Sequence, residues 1–204
     1  MIIMGHSPQI QISNILFGME GQYDMCMTSA NISQTRTIVP RLDYSSSLIS
    51  DVIKVLKKKR SELKKSNKTL VVETEDKEQS CYKAIDVERT VSFCLEGLCC
   101  IQKRMNSASR IDLIPKVFPS MVPMIRTISA QLVEISPESS SKLSELSVHL
   151  GSIVLDSASI TKAHFDFSQS NVESSTLLDE VKLMVDSKIS KQYPQLDFLS
   201  SFGN

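Results

Sequence analysis

Apolar residues return at every seventh position early in the chain: Leu42, Ile49, Leu56, Leu63 and Leu70, with Val52 between them. Side chains at that spacing share one face of a helix, so the pattern predicts a long helix from Arg41 to about Lys68. Pro40 stands where such a helix can begin, because a proline at the first helical position forfeits no hydrogen bond. The stretch SNKTLVVETED, 66–76, opens with polar residues and predicts an interruption. Beyond it Ala84, Val87, Val91, Cys94, Leu98, Ile101, Met105 and Ala108 follow alternating steps of three and four, the seam of a second long helix over 77–108. Two long helices with a short link predict an antiparallel hairpin. A seam of this kind packs within its own chain in most proteins. Its length also suits assembly between chains, for which Val87, Val91, Leu98 and Ile101 are the candidate residues.

Downstream the pattern changes. In IDLIPKVFPSMVPMI, 111–125, Pro115, Pro119 and Pro123 recur four residues apart. Proline interrupts the helical ladder, so this stretch predicts an elbow with short helices. It is also a candidate hinge, about which the C-terminal half folds onto the hairpin or swings out. Met121, Met124, Ile125, Ile128 and Leu132 support a short helix to about Ile135. Ser136-Pro137-Glu138 reads as a cap followed by a first-turn proline, opening a helix from 138 to about 162 on Leu143, Leu146, Leu150, Ile153 and Val154. HFDFSQSN, 164–171, is expected to be a linker, with Asn171 capping a last helix that carries Leu178, Val181, Val185 and Ile189 and stops at Pro194. Residues 1–38 hold no period and are expected to form a flexible arm. The expected organisation is an all-α chain: the arm over 1–38, a helical core over 39–163, and a linker with a C-terminal helix and tail over 164–204.

Composition supports helices. Aromatics make up 5% of the 204 residues, Trp is absent, and Gly and Pro number only 6 and 7, a poor inventory for a β sandwich. The five cysteines, Cys26, Cys81, Cys94, Cys99 and Cys100, form no C-x-x-C pair. They read as reduced, mostly buried thiols of a cytoplasmic protein, and neither they nor the three histidines show zinc-ligand spacing. No apolar run approaches the roughly 20 residues of a spanning helix. Nucleotide loops and nucleophile elbows are absent. His149 beside Leu150 reads as a partly buried or surface histidine rather than a base, and the adjacent Asp179 and Glu180 diverge on a helix. No enzyme and no cofactor are expected.

The formal charge is zero, but it is unevenly distributed. Residues 1–110 carry 16 Lys and Arg against 12 Asp and Glu, and residues 111–204 carry 7 against 11. The basic excess peaks in KVLKKKRSELKK; between 54 and 68 lie eight basic residues and one acid, Glu62. At about 100° per residue Lys54, Lys58 and Lys65 share a direction, Lys57, Lys64 and Lys68 lie alongside, and Leu56 and Leu63 point away. Such a face is either a solvated surface, a grip on anionic lipid, or a nucleic-acid contact. The last is disfavoured, because no aromatic residues interleave with the lysines and the chain as a whole is not basic.

Three segments, taken in order after the basic hairpin, resemble the ESCRT-III family, and within it the archaeal cell-division branch called CdvB. They are SRIDLIPKVFPSMVPMI, LSELSVHLGSIVLDSASITKAHFDFSQSN and LLDEVKLMVDSKISKQYP, and the resemblance covers about Val39 to Tyr193. It implies a basic first hairpin, short following helices and an acidic, mobile C-terminal portion. It further implies a subunit that polymerises with itself and with paralogous subunits on the cytoplasmic face of a membrane, at a division site or in vesicle formation, and that a Vps4-like AAA ATPase remodels. On this reading Lys54, Lys57, Lys58, Lys64, Lys65 and Lys68 match the family's membrane-facing character by position and charge, and no nucleic acid is expected. The family's ATPase-docking patterns are not matched by LLDEVKLMVDSKI or YPQLDFL. The competing expectation is a helical scaffold subunit of a soluble complex, in which the seam binds a partner helix and the lysines only solvate.

Overall fold

The computed structural model describes residues 29–73, 78–108, 110–164 and 166–194. All regular structure among them is helical: α1 (Ser29–Glu73), α2 (Glu78–Ser107), a 3-10 turn (Ile111–Leu113), α3 (Ile114–Val117), α4 (Met121–Leu132), α5 (Pro137–Thr161) and α6 (Phe167–Gln192). The all-α class is as the periodicity indicates.

The first helix is longer than its heptad suggests. It has 45 residues, a rod of ~68 Å at 1.5 Å per residue. Pro40 lies inside it, and the helix begins at Ser29, within the stretch expected to be a flexible arm. The reason is visible in the packing. Ile38 is buried in the core with Leu42 and extends the apolar face upstream of the proline, whereas Pro40 itself is exposed. Residues 1–28 of the expected arm lie outside the described residues. At the other end α1 continues through the anticipated break to Glu73, and 74–77 are not described.

The hairpin is antiparallel. Gln102 Nε2 donates to Ser50 Oγ at 3.0 Å, and Asn67 Nδ2 to the Ala84 carbonyl at 3.3 Å. Ile49, Val52, Leu56, Val91, Leu98 and Ile101 are buried between its arms and the helices laid on them. α5 packs on α1, α4 on α5 and α2, and α6 on α2 and α4. The seam of α2 drifts at its start, where Ile85 and Glu88 are buried and Ala84 and Val87 are only half-buried. A helix covered by α1, α4 and α6 buries a wider arc than a two-helix seam, so additional positions enter the interior.

None of the three prolines interrupts a helix: two fall in first helical turns and one in the turn between. Pro115 occupies the first turn of α3, Pro123 falls in the first turn of α4, and Pro119 lies in the turn between them. First-turn amides have no intrahelical acceptor, so nothing is lost there. Pro115, Phe118, Pro119 and Met121 are buried, and the elbow is packed into the core. α5 starts at Pro137 behind Ser136, as the cap motif indicates, and ends on Lys162 in the left-handed conformation (φ 52°). The last helix starts earlier than Asn171. Asp166 caps it, its carboxylate accepting from the Ser168 amide at 2.7 Å. Asp is as good a cap as Asn, and the four residues between them, 167–170, are able to continue the helix. Leu178, Val181, Val185 and Ile189 are buried, so this helix lies against the rest of the fold.

Candidate functional site

The run Lys57-Lys58-Lys59-Arg60 divides into two pairs. Lys57 and Lys58 are exposed. Lys59 turns inward and its ammonium donates to the Ile135 carbonyl, tying α1 to the turn after α4. Arg60 pairs with Glu96 of α2 at 3.5 Å. Of the six predicted site lysines, Lys54, Lys57, Lys58, Lys65 and Lys68 are exposed and Lys64 is half-buried. Lys54 has an acidic partner one turn back, Asp51 at 3.4 Å. Lys57, Lys58, Lys64, Lys65 and Lys68 make no ion pair among the described residues. The structure thus leaves Lys57, Lys58, Lys65 and Lys68 exposed on one outward arc of α1 without an ion pair to the described residues, opposite the buried Val52, Leu56 and half-buried Leu63.

The candidate assembly residues are placed differently. Val91, Leu98 and Ile101 are fully buried within the chain's own core, and only Val87 is partly accessible. The candidate hinge residues Pro115 and Pro119 are buried and Pro123 is half-buried.

Two polar clusters hold the helices around this face. Glu96 accepts from Lys188 of α6 at 2.8 Å as well as facing Arg60 of α1. Burial works to raise the Glu96 carboxyl, but Lys188 and Arg60 outweigh it and hold the group below the ordinary carboxylate range. The second cluster has no counterpart in the apolar periodicity. Glu88 is 0% exposed. Its oxygens accept from Asn67 Nδ2 at 2.8 Å, Gln192 Nε2 at 2.9 Å and the Tyr193 hydroxyl at 2.7 Å. Three neutral donors from α1 and the end of α6 satisfy this buried acid. Burial, then the bond to Glu88, pushes the Tyr193 hydroxyl up to about 12. The signal in the sequence is the position of Glu88 three residues from both Ile85 and Val91, an acid at core spacing.

No arrangement of a nucleophile and base emerges at the histidine on α5. His149 stacks edge-on against Tyr44 at 5.3 Å, with Glu145 at 3.5 Å, and the Tyr44 hydroxyl donates to the same Glu145 at 2.7 Å. The cluster joins α1 to α5 at the surface. Among the described residues no group of His, Cys, Asp and Glu is placed to hold a metal ion. Cys81, Cys94, Cys99 and Cys100 are thiols rather than disulfides, and burial pushes Cys94 up to about 12. Cys26 lies outside the described residues. No helix among them is long and apolar enough to cross a membrane. No protein-family model matches the chain, and no solved structure matches it.

Proposed function

We propose that this chain is a non-enzymatic, filament-forming subunit that assembles on anionic membrane surfaces and remodels them, in archaeal-type cell division or vesicle formation. The observation that carries the reading is the outward lysine arc of α1. Lys57, Lys58, Lys65 and Lys68 project from a rigid rod whose opposite face is buried, and no acid among the described residues neutralises them. Each lysine near an anionic leaflet contributes roughly 1 kcal/mol of attraction, so four acting together suffice for salt-sensitive, reversible adsorption. The helix presents them along one side, which a membrane surface can meet simultaneously.

In this reading polymer growth is coupled to release of α4 and α6 from α2, because Leu98 and Ile101 are enclosed while those helices stay packed. The paralogous partners and the Vps4-like ATPase belong to the same proposal.

The test is co-sedimentation with vesicles containing anionic lipid over a salt series, with electron microscopy of the pellets. The expected result is binding that weakens as the Debye length shrinks, with filaments or rings on the lipid. Reversing Lys57, Lys58 and Lys65 to Glu should abolish binding with helicity unchanged. Binding that survives the triple reversal, or no binding at low salt, would move the reading to a soluble helical scaffold.

A further inference from the structure

Gly151 has no task within its own chain. It lies in the middle of α5 without a positive φ, so no turn calls for it. A Cβ added there would meet nothing within 4 Å, so no neighbour in the fold needs the room. Glycine is the poorest helix former after proline, and it therefore weakens α5 with no compensating contact inside the molecule. The missing side chain leaves a notch open to the outside, and close approach of another backbone is what such a notch permits.

The notch has apolar shoulders. Val148, three residues before it, is 69% exposed, and Leu155, four residues after it, is 58% exposed. At about 100° per residue Ser141, Ser144, Val148, Gly151, Leu155 and Ser159 share one outward side of α5, and none of them is charged. The charges of the helix stand on its flanks and are engaged there. Glu145 accepts from Tyr44 and Asp156 from Arg41, both at the border with α1, and Glu138 pairs with Lys142. The exposed sides of α1 and α6, by contrast, carry lysines or acids.

Two features select a second copy of the chain as the occupant. Val148 and Leu155 stand symmetrically about the bond between Gly151 and Ser152. An antiparallel copy related by a two-fold axis at that bond sets Val148 against Leu155 of the partner subunit, and the same contact recurs on the other side of the axis. The second feature is the lack of charge, which lets the same surface meet itself without repulsion between like groups. We infer that this side of α5 is a two-fold interface between copies of the chain, closed around Gly151. A single pair of crossing helices falls short of the roughly 1,200 Å² of a stable interface, so the dimer is weak and depends on concentration. The inference does not rest on the lysine arc, and the dimer forms without lipid.

Sedimentation velocity of the full chain over a concentration series, without lipid, tests this. The native chain should pass from monomer to dimer as its concentration rises. Gly151→Glu places a charge at the axis and should remain monomeric. Its helicity should be unchanged and its melting temperature equal or higher, because the added side chain meets open space and Glu is the better helix former. Val148→Lys and Leu155→Glu should each weaken association at least about tenfold, and the double variant should recover it to within about threefold, because the axis pairs one position with the other. A native chain that stays monomeric up to hundreds of micromolar would overturn the proposal. So would association that persists in Gly151→Glu, or a double variant no better than the singles, which would assign the contact to a different geometry or surface.

Discussion

Glu88 is the residue on which three helices agree. Its buried oxygens are satisfied by three donors, and loss of any one leaves an acceptor unpaired in the interior. Tyr193→Phe removes one hydrogen bond to a charged acceptor and should lower the urea midpoint by the equivalent of about 1.5–3 kcal/mol, with the slope unchanged. Glu88→Leu removes the acceptor while leaving Asn67, Gln192 and Tyr193 to find water, and should cost more than Tyr193→Phe. The tyrosine hydroxyl supplies a pH test. Its folded pKa lies above the ordinary value of 10.0, at about 12, so the protonated form is favoured by the fold. This contribution is complete below pH 10 and is lost as pH rises towards 12. Phenolate absorbance should show one tyrosine that ionises only with alkaline unfolding. A tyrosine titration completed near pH 10 with the fold intact would contradict the closed arrangement at Glu88. The trace of it in the sequence is its core spacing from Ile85 and Val91, yet a single acid there reads as solvent-facing until a third helix covers it.

At the scale of elements, spacing is a good guide along α1 up to Leu56 and along α6, although Leu63 is only half-buried and Leu70 is exposed. Leu42, Ile49 and Leu56 are buried as their period of seven demands, and so are Leu178, Val181, Val185 and Ile189. It is poorer where several helices converge or where a cap has rivals. Ile85 displaces Ala84 from the interior of α2, and Asp166 takes the capping position ahead of Asn171. The lysine run shows the same limit: adjacent cations look alike in sequence, yet Lys59 bonds inward and Lys58 faces water because they stand 100° apart on the helix. Leu98→Ala measures the role of the seam directly. At a fully buried position it should destabilise the chain by about 2–5 kcal/mol in urea unfolding. A variant that loses only self-association, with its unfolding midpoint unchanged, would instead assign Leu98 to an interface between chains.

The whole molecule is held together by ion pairs between elements as well as by its core. Arg41 reaches from α1 to Asp156 of α5, Arg104 from α2 to Glu173 of α6, and Arg60 and Lys188 meet at Glu96 from opposite helices. Because the folded pKa of Glu96 is depressed, its contribution is present above the ordinary carboxylate value of 4.5 and disappears as pH falls through the lowered one. Acid should therefore release α6 before the hairpin melts. In Glu96→Gln that early step should vanish from an acid titration followed by amide exchange in α6. Identical acid profiles for the two proteins would place the acid-sensitive contact elsewhere.

Beside its apolar contacts, the interface between α4 and α5 carries a patch of hydroxyls. Ser129 Oγ lies 3.1 Å from Ser140 Oγ and 3.0 Å from Ser144 Oγ, and Ser140 Oγ donates back to the Ser129 carbonyl at 2.9 Å. Each hydroxyl both gives and accepts, and none interlocks as a branched hydrocarbon would. When α5 slides along α4, these groups trade partners rather than part from them, so this surface behaves as a lubricated bearing within an otherwise toothed core. If the molecule yields under load, the first displacement is expected here, as sliding, ahead of bending at the packed prolines. Ser129→Val would put a tooth into the bearing. Microsecond-to-millisecond exchange broadening in α5 should then fall, whereas no change, or a rise at Pro115 and Pro119, would return the compliance to the elbow.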